Sequence, residues 1–357
     1  MGRMTHEPDP RRWKALALLC AVALMVILDS QIVIVALPSL RRDLGFSEDG
    51  AQWVLSAYLL AFGGLLMLGG RTGDLLGRRR TLIAGTALFA AASLACGLAS
   101  SPGFLVGARI VHGISAALMA PTALSILITT FDDDAERNKA LAVWGAVGGV
   151  GATVALLVGG VLTDAFGWRA IFFINIPIAR VLLVLAPMLL RESRAPERVA
   201  FDAAGAVTLT LALVALLYAV VEAPDAGWGS PRTLLVLATA GALFAAFVAI
   251  ELRARAPLVP LGLCRAPGLA GGNLVMLLAG MAAWGVGLTA SNYGQGVLGF
   301  SPLTYGLGTT VLTVGAVAGS FAGQSLVGRV GVWWVAATVV APRPGPNTSI
   351  PGKRSVQ

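Results

Sequence analysis

Gly70-Arg71-Thr72-Gly73-Asp74-Leu75-Leu76-Gly77-Arg78-Arg79-Arg80 separates two apolar runs, residues 51–70 and 81–99. Each run is close to the ~20 residues that cross a bilayer core. The spaced glycines permit a tight turn, one carboxylate stands in it, and an arginine cluster closes it. A basic membrane anchor accounts for the arginines but not for the spaced glycines or Asp74. The segment reads as the connection of a helical hairpin, with chemistry of its own.

The same alternation continues in both directions. Apolar runs predict ten helices, at about 15–38, 51–70, 81–99, 104–129, 141–162, 170–190, 203–221, 232–250, 268–290 and 303–327. Short punctuators separate them, among them Arg41-Arg42-Asp43, Arg78-Arg79-Arg80, Asp132-Asp133-Asp134 and Pro224-Asp225, all read as loops. The 357 residues are 57% hydrophobic and only 12% charged, about half the ~25% charge of a soluble domain. This excludes a water-soluble fold and leaves no room for a soluble catalytic domain. Arg11-Arg12-Trp13-Lys14 leads into an apolar run too long for a signal peptide and interrupted by Asp29, so the run is an uncleaved first span. Cys20, Cys96 and Cys264 are isolated, with neither a disulfide framework nor metal-ligand spacing. No metal, no cofactor and no enzymatic activity are expected.

The net charge of +8 would suggest nucleic acid in a soluble protein. Its distribution points instead to topology. Counting Lys and Arg on alternate sides up to Arg329 puts seventeen on one side and only Arg41, Arg42, Arg169 and Arg232 on the other. This predicts a cytoplasmic N-terminus in a multi-pass protein of the cell membrane, with no nucleic-acid partner.

Three further segments carry chemistry. Helix 1 contains Leu28-Asp29-Ser30-Gln31-Ile32-Val33-Ile34-Val35-Ala36-Leu37-Pro38, and Asp29 is the one carboxylate deep inside any predicted span. Such a group is costly when ionised and suited to exchanging a proton, or it pairs with a neighbouring helix. Helix 4 contains Arg109-Ile110-Val111-His112-Gly113-Ile114-Ser115-Ala116-Ala117 and then Pro121. Arg109 there needs a partner, and His112 is either a second titratable group or a hydrogen-bonded structural residue. Helix 5 is dense in glycine (Gly145, Gly148, Gly149, Gly151, Gly159, Gly160), and Gly151, Ala155 and Gly159 form a small-residue stripe that lets helices approach closely. Arg180 in helix 6 either snorkels, faces a cavity or has no function.

Taken together, these segments resemble the major facilitator superfamily, and in particular its fourteen-helix drug:proton antiporter branch. Gly70, Gly73, Asp74, Gly77, Arg78, Arg79 and Arg80 match the family's signature loop, although Leu75 stands where a basic residue often follows the Asp. The helix 1 segment is similar to the branch's first-helix motif. The Arg109 segment is similar to the proton-coupling motif, with His112 in place of the usual Gln. Gly145 to Gly160, with Asp164, Gly167-Trp168-Arg169 and Phe173-Ile174-Asn175-Ile176-Pro177 after it, resembles the antiporter motif and the helix 6 entry. Ala155-Leu156 replaces the motif's usual Gly-Pro, which predicts a weaker kink. Tyr293-Gly294-Gln295-Gly296-Val297-Leu298-Gly299-Phe300-Ser301-Pro302 resembles the external loop that opens the second half.

The resemblance implies an all-α polytopic membrane protein of major facilitator fold, with about ten complete transmembrane helices plus a partial eleventh. It divides the chain into a cytoplasmic segment (1–14), an N-terminal six-helix bundle (15–190), a linker (191–202), two inserted helices (203–251), an incomplete C-terminal bundle (252–341) and an unstructured tail (342–357). The tail reads either as natural and flexible or as a truncated or frameshifted reading frame. Asp29, Arg109 and His112 are expected to couple protons. Asp74, with Arg78 and Arg79, is expected to gate by pairing with basic residues and a helix N-terminus in the other half. The helix 5 stripe is expected to pack a moving helix. The implied activity is export of small amphipathic drugs or antibiotics in exchange for protons, by a monomer in contact with membrane lipids. A same-fold metabolite importer and a non-transporting remnant or membrane interaction protein stand as alternatives.

Overall fold

The computed structural model describes residues 10–194, 202–254, 269–311, 314, 315 and 319. Among them the chain is helical and has no strand. The helices are α1 (Arg12–Leu44), α2 (Glu48–Leu76), α3 (Arg78–Gly97), α4 (Pro102–Thr130), α5 (Asp134–Phe166), α6 (Ala170–Phe173), α7 (Asn175–Leu189), α8 (Ala203–Ala226), α9 (Pro231–Glu251) and α10 (Leu269–Ser291). A π-helical turn, Asn292–Val297, continues α10, and residues 302–311 are again helical. Nine spans among the described residues are long and apolar enough to cross a membrane, α6 and α7 together making one of them. The tenth expected span is described only as far as its first part. The segment 332–341 and the tail 342–357 lie outside the described residues.

Several expected loops are helix ends. Arg41, Arg42 and Asp43 fall in the last turn of α1, where the two arginines complement the carbonyl end of the helix dipole and Gly45, at φ 71°, closes the turn. Arg78, Arg79 and Arg80 form the first turn of α3. Asp133 caps α5, its carboxylate accepting from the Glu136 N–H at 2.9 Å, so that Asp134 is helical. Pro224 and Asp225 lie inside the last turn of α8. The reason is length: the 33 residues of α1 extend about 50 Å, well beyond a hydrocarbon core of about 30 Å, so charged residues sit on helix turns in the headgroup layer. The sixth span, expected as one helix over 170–190, is interrupted at Ile174, one turn before Pro177, whose missing N–H leaves the Phe173 carbonyl without its intrahelical donor.

All contacts below lie within one compact unit that ends at Thr310. Helix α1 is its axis, touching α2, α4, α5 and α7, while α2 packs along α4, α3 against α4 and α7, and α8 pairs with α9 and leans on α2. Close approach rests on small residues. A Cβ on Gly69 would strike the Ala117 carbonyl of α4, and one on Gly113 would strike the Tyr58 carbonyl of α2. Gly151 and Gly159 face α1, where a Cβ would come 3.0 Å from Leu24 and 2.7 Å from Ile32, and Ala155 between them is buried. Gly160 turns the other way, towards Pro302 and Leu303. Gly145 faces open space, and Gly149 lies on α5 with no described surroundings. Helix α5 runs unbroken through Ala155-Leu156.

The apolar core comes in two clusters. One joins the first half of α1 to the ends of α4 and α7 and includes Leu19, Met25, Phe89, Met119 and Phe131. The other joins the second half of α1 to the starts of α2 and α4 and to α6, and includes Ile32, Leu40, Val54, Leu105 and Phe172. Between the two lies a layer of buried polar groups.

Candidate functional site

Asp29, Arg109 and His112 are each fully buried in that layer, at 0% exposure. Asp29 stands near the middle of α1, and Arg109 and His112 stand on one face of α4, three residues apart. Arg109 Nη1 donates to Asp29 Oδ2 at 2.6 Å and lies 3.1 Å from His112 Nδ1. Its Nε donates to the Val54 carbonyl at 3.0 Å, and its guanidinium carbon sits 4.1 Å from the centre of the Tyr58 ring. The cation is thus held by a carboxylate, a carbonyl and an aromatic face, three of the ways in which an apolar interior tolerates charge.

Asp29 has a second partner. Asn175 Nδ2 donates to Asp29 Oδ1 at 3.2 Å and to Ser93 Oγ at 3.0 Å, and the Ser93 hydroxyl donates to the Phe172 carbonyl at 2.8 Å. His112 Nδ1 lies 3.6 Å from Asp29 Oδ1, and the ring packs on Phe89 with centroids 4.0 Å apart. With Nδ1 accepting from Arg109, the imidazole carries its proton on Nε2, which is buried and has no hydrogen-bond partner among the described residues. Arg109 Nη2 and Asn175 Oδ1 are in the same position. The cluster therefore keeps spare donors and an acceptor beside an ion pair, an arrangement able to exchange partners when charge changes.

The signature segment forms a second site at the end of the bundle where the basic residues gather. Asp74, in the last turn of α2, receives Arg78 Nε at 3.0 Å and Nη2 at 2.8 Å on one oxygen. Gly73 and Gly70 bring α2 against Thr122 and Pro121 of α4. Gly77 joins α2 to α3 at φ 110°, and a Cβ there would come 2.7 Å from Glu192 Oε1, so both conformation and space call for glycine. Glu192, just past α7, accepts from the Arg79 and Ser193 backbone N–H groups at 3.1 and 3.2 Å and lies 3.9 Å from Arg79 Nε and 3.6 Å from Arg80 Nε. This carboxylate compensates for an arginine-rich turn placed at the positive end of a helix dipole. At the same end, Arg12 of α1 makes a two-pronged pair with Glu136 of α5, at 2.8 and 2.9 Å.

The expected coupling residues come together in one cluster, and the expected gating residues in another. Among the described residues the ion-pair partner of Asp74 is Arg78, four residues on, rather than a group in the other half of the protein. Sequence reasoning missed Ser93, Tyr58, Asn175 as an Asp29 ligand, and Glu192. The available signal was weak: single polar residues in apolar runs, and one acid between Arg191 and Arg194. Arg180 is exposed on α7, away from both clusters, and nothing in the structure assigns it a role.

The profile of the Major Facilitator Superfamily matches residues 19–341. The chain belongs to that superfamily. It is 41% identical over 345 residues to the puromycin resistance protein pur8 of Streptomyces alboniger, an alignment covering 97% of this chain and 66% of that protein. It is 38% identical over 339 residues to the cephamycin export protein CmcT of Amycolatopsis lactamdurans, covering 90% and 70%. The chain thus spans about two thirds of the length of these relatives. In fold it is similar to the in meso crystal structure of the POT family transporter PepTSo, with a TM-score of 0.51 at 17% identity over 68% of this chain and 52% of that one. Its described part is an all-α, multi-pass membrane protein of the major facilitator fold.

Proposed function

We propose that this chain serves as a secondary transporter of the fourteen-helix drug:proton antiporter branch, exporting amphipathic drugs or antibiotics across the cell membrane in exchange for protons. The observation that carries the reading is the buried cluster of Asp29, Arg109, His112 and Asn175. A fully desolvated carboxylate held by a cation and an amide in the middle of a membrane bundle is a functional site before it is a structural one. The relatives' names, resistance and export proteins among them, supply the direction and substrate class.

In this reading a proton reaching Asp29 discharges the pair. Arg109 then keeps the Val54 carbonyl and the Tyr58 face, and its two nitrogens Nη1 and Nη2 turn towards His112 or towards the substrate path. Asn175 and Ser93 record the change on α7 and α3, so that one protonation loosens four helices at once. Loss of the proton restores the pair. Asp74, Arg78, Arg79 and Arg80 control closure at the basic end, which is cytoplasmic, and the stripe Gly151, Ala155 and Gly159 lets α5 slide on α1. No cofactor takes part, the energy comes from the ion gradient, and the working unit is a monomer.

The test is efflux of a fluorescent cation from cells expressing the chain, with and without a protonophore. We expect efflux that collapses with the gradient and is absent in Asp29→Asn at unchanged membrane abundance. Undiminished efflux by that variant overturns the coupling role, and efflux indifferent to the protonophore overturns proton exchange.

A further inference from the structure

The basic end of the bundle holds a cavity of about 610 Å³ at the end of α7. Its polar wall carries three guanidinium groups from three separate segments: Arg11 before α1, Arg79 in the first turn of α3, and Arg191 after α7. Arg11 and Arg79 are aimed by hydrogen bonds to the carbonyls that terminate α7, Met188 at 3.3 Å and Leu190 at 3.3 Å. Glu192 is the one acid on the wall, and it is engaged by the backbone N–H groups of Arg79 and Ser193. Three cations against one committed carboxylate leave the wall positive.

The rest of the lining is apolar. Pro187 and Met188 form the rim, and from there Val184 and Val181 continue along the outer surface of α7 at three- and four-residue spacing, each more than half exposed. The strip ends beside the exposed Arg180. A positive cavity at the end of a membrane span, open onto an apolar strip running along that span, matches a molecule with an anionic head and hydrocarbon tails. A free anion would use the arginines and leave the strip unexplained.

We propose that this cavity is a binding site for an anionic phospholipid. The phosphodiester sits among Arg11, Arg79 and Arg191, where the planar guanidinium fork suits phosphate oxygens, and an acyl chain lies on Met188, Val184 and Val181. The site joins α1, α3 and α7, so its occupant ties together three helices of the first bundle. It does not depend on the transport reading, because none of its claims involves the Asp29 cluster.

The experiment is native mass spectrometry of the whole chain after delipidation, with phosphatidylglycerol, phosphatidylcholine and inorganic phosphate as separate probes. One retained phosphatidylglycerol is expected where phosphatidylcholine is stripped. Each arginine near an anionic surface is worth about fivefold in affinity, so Arg11→Gln/Arg191→Gln should weaken retention about 25-fold. Circular dichroism in phosphatidylcholine nanodiscs confirms that the variant is folded. Should that variant not fold, Met188→Glu keeps every arginine, sets a like charge at the rim, and is expected to expel the lipid. Equal retention of the two lipids overturns the proposal, as does full retention in the folded variant or in Met188→Glu. So does displacement of phosphatidylglycerol by millimolar inorganic phosphate, which would make the site one for free anions.

Discussion

Asp29 with Arg109 and Asp74 with Arg78 are the same chemical pair at nearly the same separation, 2.6 and 2.8 Å, in opposite surroundings. The first is fully buried, with side-chain exposure of 0% on both partners, whereas the second leaves 13% of Arg78 and 28% of Asp74 exposed. In the apolar layer neither charge has water to fall back on, so losing one strands the other. At the basic end water and salt stand in for the missing partner. The inner pair is accordingly a high-cost element that can carry a coupling signal, and the outer pair is a contact that can be broken and remade at little cost, as a gate requires.

The comparison breaks most decisively at Asp29. Asp29→Ala leaves Arg109 buried and unpaired, and a loss of about 3–5 kcal/mol is expected in denaturant unfolding from detergent. Asp29→Leu combined with Arg109→Met should recover most of it, and equal damage in the double variant would mean that packing, not charge, sets the cost. Next comes Asn175→Leu, which removes the second ligand of Asp29 and the donor to Ser93. A loss of about 1–3 kcal/mol is expected, with Asn175→Ser milder. Glu192→Gln takes the anion from the start of α3, and about 1 kcal/mol should be lost, most visibly at low ionic strength. The smallest effect belongs to the outer pair. A double-mutant cycle on Asp74 and Arg78 should give a coupling of about 0.3–0.5 kcal/mol that fades in 1 M salt, while the Asp29–Arg109 coupling persists. A salt-resistant outer coupling would erase the distinction.

The fold was legible because membrane spans announce themselves one at a time through length and apolarity, and loop arginines orient them. What escaped was of two kinds. Helix ends were placed too early because charge was read as loop, whereas Arg41, Arg42 and Arg78 to Arg80 occupy helical turns beyond the hydrocarbon layer. Polar partners escaped because their neighbours are set by packing: Asn175 meets Asp29 across 146 residues and Ser93 across 82. Asp29 and Arg109 were visible as isolated charges in apolar runs. Tyr58 and Ser93 are ordinary residues until α2, α3 and α7 close around them, and Glu192 is unremarked until its carboxylate meets the turn at Gly77.

The spacing of the inner cluster along the chain also bears on biogenesis. Asp29 precedes Arg109 by 80 residues and Asn175 by 146. At about 5–20 residues per second, helix α1 is made roughly 4–16 s before the cation and 7–30 s before the amide that complete its site. Over that interval the nascent helix bears a carboxylate worth about 2.5–3.5 kcal/mol against insertion, offset by the leucines, isoleucines and valines around it. The assembled cluster thus marks completion of the first bundle, since its last ligand arrives with the sixth span, and a ribosome stalled before Asn175 leaves Asp29 one partner short.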